Sequence, residues 1–192
     1  MESVKLVGET RTEIGKRASS LLRRSNNVPC VIYGGKENIN FYAAQSAFKK
    51  AIYTDKFHKV AIEIGGNTIE TIVQDIQFHP LTDQITHIDF LQLVPGNKVT
   101  VEIPIRVHGF SKGVQAGGKM MIATKKVKIK ALVENLVDHV DVDITNLEMG
   151  KSIKVKELNL PNVDILTPGN IPVVNITIPR VAKVDASAAA KK

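Results

Sequence analysis

The chain has 192 residues, 43% of them hydrophobic, a net charge of +7 and a pI near 9.5. That apolar content builds one large or two small packed domains rather than a disordered chain, and the basic balance favours anionic partners such as nucleic acid. The single cysteine, Cys30, excludes an internal disulfide and a thiolate zinc site, and no apolar run approaches the ~20 residues of a membrane span. The N-terminus, MESVKLVGETR, lacks the apolar core of a signal peptide, so a cytoplasmic location is expected.

In chain order, 4–7 alternates as a strand. Residues 14–36, IGKRASSLLRRSNNVPCVIYGGK, follow with five basic groups (Lys16, Arg17, Arg23, Arg24, Lys36) and no acid. The spacing predicts a short helix over 16–24, with Ala18, Leu21 and Leu22 on its apolar side. It runs into a strand at 31–33 that ends at Tyr33-Gly34-Gly35-Lys36. Cys30, beside Pro29 and Val31, reads as a small core residue. A cationic helix next to an aromatic ring and a flexible Gly pair suits a polyanion with stackable bases, which points to RNA. Ala44, Ala47, Phe48 and Ala51 predict a second helix over 43–52. Strands are predicted at 60–64, 68–77 and 85–93, the first two joined by the hairpin signal Gly65-Gly66-Asn67.

A domain boundary is expected at Pro95-Gly96-Asn97. Beyond it, 101–107, 126–131, 140–144 and 171–178 alternate as strands, with Pro104 suited to an edge strand or a bulge. GVQAGG over 113–118 lacks the Lys and hydroxyl of a phosphate loop and reads as a flexible turn. Residues 103–133 carry seven basic groups and no acid, whereas 134–148 carry five acids and no Lys or Arg. Lys126, Lys128 and Lys130 are either a second binding strip or, the favoured reading, a solvated face opposite Asp141 and Asp143 on a neighbouring strand. The tail over 181–192 is expected to be disordered.

Catalytic readings find little support. His79, His87 and Asp89 invite a metal site or a metal-dependent hydrolase, but a site needs three convergent ligands with outer support. A polar strand pair presenting donors and acceptors fits the same residues. No nucleophile elbow and no carboxylate pair in apolar surroundings occurs. No enzyme activity, cofactor, metal or small-molecule substrate is therefore expected. In the RNA reading, Lys16, Arg17, Arg23 and Arg24 contact phosphates and Ser19 adds a neutral donor. Tyr33 stacks on a base or bonds a 2′-hydroxyl, or else it is a strand-end core tyrosine. Gln77, His79, His87 and Asp89 meet base edges or 2′-hydroxyls.

The motifs R-x-x-x-G-K-x-A-S (Arg11, Gly15, Lys16, Ala18, Ser19), P-x-x-I-Y-G-G-K-E from Pro29, Q-D-x-Q-x-H-P from Gln74 and H-I-D-F from His87 occur in that order. Together they resemble the family of the bacterial 5S-rRNA-binding ribosomal protein twenty-five of the large subunit. The strand-rich remainder resembles its long, general stress or CTC form. The resemblance implies a mainly β, α+β protein. An N-terminal RNA-binding β-barrel domain would span 1–94, and a C-terminal antiparallel β domain 95–180. It implies a monomer within the ribosome, partnered by 5S rRNA and other large-subunit components, and no membrane. The implied RNA contacts are Arg11, Lys16, Ser19, Arg23, Tyr33, Lys36, Gln77, His87 and Asp89. Arg17 departs from a common Gly, and Ser20 and Leu21 replace common arginines; Arg17 and Arg24 supply displaced charge. An RNA chaperone acting off the ribosome is the alternative.

Overall fold

A computed structural model describes residues 3–178 except 36, 55 and 159. The chain divides into two compact units, Met1–Val99 with Leu132–Asp138, and Thr100–Ala131 with His139–Lys192.

The first unit is a closed six-stranded barrel. Its elements are β1 (Ser3–Thr10), α1 (Lys16–Arg24), β2 (Asn27–Tyr33), β3 (Ile39–Ala44), a 3₁₀ turn (Gln45–Phe48), α2 (Lys49–Ile52), β4 (Lys59–Ile64), β5 (Asn67–Phe78) and β6 (Ile85–Gln92). The order around the barrel is β1-β3-β2-β6-β5-β4, closed by the parallel pair β1–β4; β2–β6 is also parallel and the rest are antiparallel. Closure leaves no strand edge unpaired. Alternation sends Leu6, Val28, Cys30, Ile32, Phe41, Val60, Ile62, Ile88 and Phe90 inward, where all are buried. Phe90 centres the aromatic packing, with ring centroids 5.7 Å from Phe41 and 6.3 Å from Phe48. Burial pushes the Cys30 thiol well above its ordinary range, so it is a core group. The return segment joins this unit through Phe57 N, which donates to Asp138 O at 3.2 Å.

Two local expectations change here. The predicted helix over 43–52 begins later, because Ala43 and Ala44 extend β3 opposite Val28 and Asn27; helical geometry starts at Gln45 and becomes an α-turn only at Lys49. Pairing across a buried strand overrides the alanine spacing. On α1, Leu21 is 56% exposed rather than packed, and the half-buried side holds Ala18, Ser19 and Leu22.

The second unit contains most of β7 (Lys98–His108), then α3 (Lys112–Gln115), β8 (Lys119–Ile122), β9 (Lys126–Leu132), β10 (Val140–Asp143), β11 (Ser152–Lys154), β12 (Asp164–Ile165) and β13 (Pro172–Thr177). They form two open sheets, β10-β7-β9-β12 and β11-β13-β8. The fold is mainly β as expected, but β7 and β10 run parallel rather than antiparallel. The long excursion through β8 and β9 permits that crossover. Pro104 lies in an internal strand, immediately before the stretch Ile105–His108 that pairs with β10, so its missing N–H falls outside that ladder. The 113–118 segment is partly helical: Ser111 caps α3, accepting from Gly113 N at 3.1 Å while donating to Leu147 O at 2.6 Å. The exposed lysines of β9 do not face Asp141 and Asp143, because β10 borders β7. Lys128 instead lies 3.3 Å from Glu102, and Asp164 pairs opposite Lys130. The tail over 181–192 and Lys36 lie outside the described residues.

Candidate nucleic-acid interface

The barrel's outward positions on β2, β6 and β5 form one polar face. Inward Cys30 and Ile32 alternate with outward Val31 and Tyr33, and Val31 pairs with Asp89 across β2–β6. On β6, Ile88 and Phe90 point inward, which sends His87 and Asp89 out. The β5 register would put Asp75 and Gln77 inside, since Val73 packs on the core opposite Phe90. A bulge at Gln74 resets the phase, so Asp75 stands opposite Asp89 and Gln77 opposite His87. The bulge thus builds the face. Asp75 belongs to it although sequence alternation passed it over; the two polar residues running together at 74–75 are the only trace it leaves.

His87 Nδ1 lies 2.6 Å from Asp89 Oδ1, both side chains half-buried. This bond orients the ring, so that in the neutral imidazole Nδ1–H donates to the carboxylate and Nε2 is an acceptor. Tyr33 is half-buried, one strand over and two residues along. Burial, then the charges of Asp89 and Asp75, hold its hydroxyl above the usual tyrosine range, so it stays a neutral donor at physiological pH. His79 is placed apart from this pair, in the loop beyond β5, and no described group of three His, Cys, Asp or Glu can hold a metal.

Helix α1 packs against β2 and is tied to the face by one long-range bond, Arg23 Nε to Thr86 O at 2.9 Å. Thr86 in turn bonds Gln77 O through Oγ1 at 3.0 Å, which fixes that carbonyl across β5–β6. With 3.6 residues per turn, Lys16, Arg17, Ser20 and Arg24 share the side opposite half-buried Ala18, Ser19 and Leu22. Lys16, Arg17 and Arg24 are exposed, and none forms an ion pair with another described residue. Arg11 follows β1, its backbone N on Asn40 O at 2.9 Å. Its Nη2 donates to Ser19 Oγ at 2.8 Å and its Nε to Glu13 O at 2.7 Å. Ser19 Oγ donates to Gly15 O at 2.8 Å, so this serine already spends its hydrogen on bracing the helix start.

The fold and site define a class: a closed β-barrel protein with a cationic helix tied beside a polar strand face. Comparison with known proteins narrows it. The model of the Ribosomal L25p family matches residues 6–90, and that of the ribosomal protein TL5 C-terminal domain matches 98–180. Along its whole length the chain is 38% identical to the large ribosomal subunit protein bL25 of Cytophaga hutchinsonii and 37% identical to that of Porphyromonas gingivalis, covering all of each. It is 34% identical to the bL25 of Amoebophilus asiaticus, again over the whole chain and 98% of the relative. The chain belongs to the bacterial ribosomal bL25 family, in the long form that carries the TL5-type C-terminal domain. It is a structural ribosomal protein rather than an enzyme, located at the cytoplasmic ribosome.

Proposed function

We propose that this protein binds 5S rRNA within the large subunit through the barrel face, with α1 as its phosphate clamp. Lys16, Arg17, Arg24 and the spare N–H groups of Arg11 and Arg23 neutralise phosphates. Tyr33, Gln77, His87 and Asp89 read 2′-hydroxyls and base edges in a wide, shallow RNA minor groove. Asp75 and Asp89 exclude phosphate from that strip, so the backbone runs along the helix and the groove lies over the strands. Lys36, outside the described residues, adds one more positive charge for phosphate. The observation that carries this reading is the Arg23–Thr86 bond, which seats the cationic helix beside the polar face. The second unit adds contacts elsewhere in the subunit.

The test is a titration of the full-length chain against 5S rRNA and a length-matched unrelated RNA, each at two salt concentrations. A preference of about 10³ for 5S rRNA is expected. Each phosphate contact adds roughly 0.7–0.9 to the log–log salt slope. Equal affinity for both RNAs would sink the 5S assignment and favour a generic RNA binder acting off the ribosome.

A further inference from the structure

We propose that the loop joining β5 to β6 is a protein-docking knob whose partner is a basic protein surface with an apolar pocket. The loop, residues 79–84, is braced by its own groups. His79 N donates to Gln84 O at 2.8 Å and Asp83 N to His79 O at 3.0 Å. The His79 ring closes it further, Nδ1 accepting from Leu81 N and Thr82 N at 3.3 Å each. Asp83 takes a left-handed φ of 53°, a conformation that aspartate tolerates better than most residues. Held out by this frame is Leu81, 88% exposed, with Phe78 at its foot 45% exposed. Such a side chain gains only when a pocket removes it from water, and a loop that is already ordered loses little freedom on docking.

Charge selects the partner. Residues 60–97 contain five acids (Glu63, Glu70, Asp75, Asp83, Asp89) and no Lys or Arg. Affinity for nucleic acid comes from cations on phosphates, and the loop itself, residues 79–84, has Asp83 and no Lys or Arg to offer. An apolar tip beside Asp83 instead complements a pocket rimmed with Lys or Arg. The inference rests on the ribosomal reading, since the assembled subunit supplies the neighbour.

Two probes test it with the full-length chain: free 5S rRNA, and large subunits stripped of this protein. Leu81→Ser should weaken rebinding to stripped subunits by about tenfold and leave the affinity for free 5S rRNA unchanged. Because Leu81 is almost fully solvated, the variant should keep its melting temperature. Equal losses on both probes would make the tip an RNA contact, and no loss on either would leave it facing solvent; each result overturns the proposal. A benzophenone cross-linker placed at position 81 should capture a protein in rebound subunits. Capture of rRNA alone overturns the proposal too. If the unmodified chain showed no preference for 5S rRNA, that would count against the RNA assignment, while the cross-link would still decide this one.

Discussion

In the first unit six strands close on themselves, so each has two neighbours. In the second, two small sheets end, among the described residues, in the open edges of β10, β12, β11 and β8, and every residue of β8 is exposed. The barrel therefore holds its surface residues by register: one bulge at Gln74 decides the facing of Asp75 and Gln77 together. The second unit relies on local devices, such as the Ser111 cap and glycines that admit close backbone approach. A closed sheet makes a rigid platform for groups that must keep fixed spacing, and open sheets leave backbone edges available to neighbours.

Removing the barrel's central ring should break this contrast most visibly. Phe90→Ala deletes a fully buried side chain packed on Phe41 and Phe48, and should destabilise the barrel by about 3–5 kcal/mol. All three tyrosines (Tyr33, Tyr42, Tyr53) lie in the first unit, so tyrosine fluorescence in a denaturant titration follows the barrel, while far-UV circular dichroism follows both units. The fluorescence midpoint should fall and leave a later circular dichroism phase unmoved. A common shift of both signals would show that the two units unfold as one.

Gly113→Ala probes the other side of the comparison. A Cβ there would lie 2.6 Å from Met149 N and 2.7 Å from the Glu148 carbonyl carbon, both backbone atoms that cannot swing aside. Overpacking of this kind costs about 1–3 kcal/mol, and it should appear in the late circular dichroism phase and not in the tyrosine signal. An unchanged late phase would mean that the 148–149 backbone yields freely.

What the sequence disclosed follows the same division. Five of the barrel's six strands and the hairpin at Gly65-Gly66 are legible because alternation and turn chemistry are local signals, whereas β3 is not predicted. Helix α1 is legible to the residue, but the exposure of Leu21 is not, since which side packs depends on where β2 lies. Ala43 and Ala44 look helical until Val28 and Asn27 are placed opposite them. The partner of Lys128 is not legible, because strand order in the second unit is non-sequential: β7 stands between β9 and β10. Of the site, Gln77, His87 and Asp89 were readable as a polar strand pair. Asp75 and the Thr86 carbonyl were not, because a bulge and a backbone acceptor leave no side-chain pattern.

The finest distinction is between two adjacent arginines on α1. Arg23 and Arg24 carry the same charge, and each substitution by Ala should lower the log–log salt slope for 5S rRNA by about 0.7–0.9. Only Arg23 also spans 63 residues to bond Thr86 O, so only Arg23→Ala should cost stability as well, about 0.5–1.5 kcal/mol in the tyrosine-detected transition. Loss of that bond also frees the helix relative to the Gln77–His87 pair. Arg23→Ala should therefore erode the preference for 5S rRNA over unrelated RNA, whereas Arg24→Ala should weaken both RNAs alike. Arg23→Lys separates the two contributions, because it keeps the phosphate charge and lacks the Nε donor. It should retain the salt slope and lose the preference. Identical behaviour of the Arg23 and Arg24 alanine variants would show that the packing of α1 on β2, and not the bond to Thr86, sets where the cations stand.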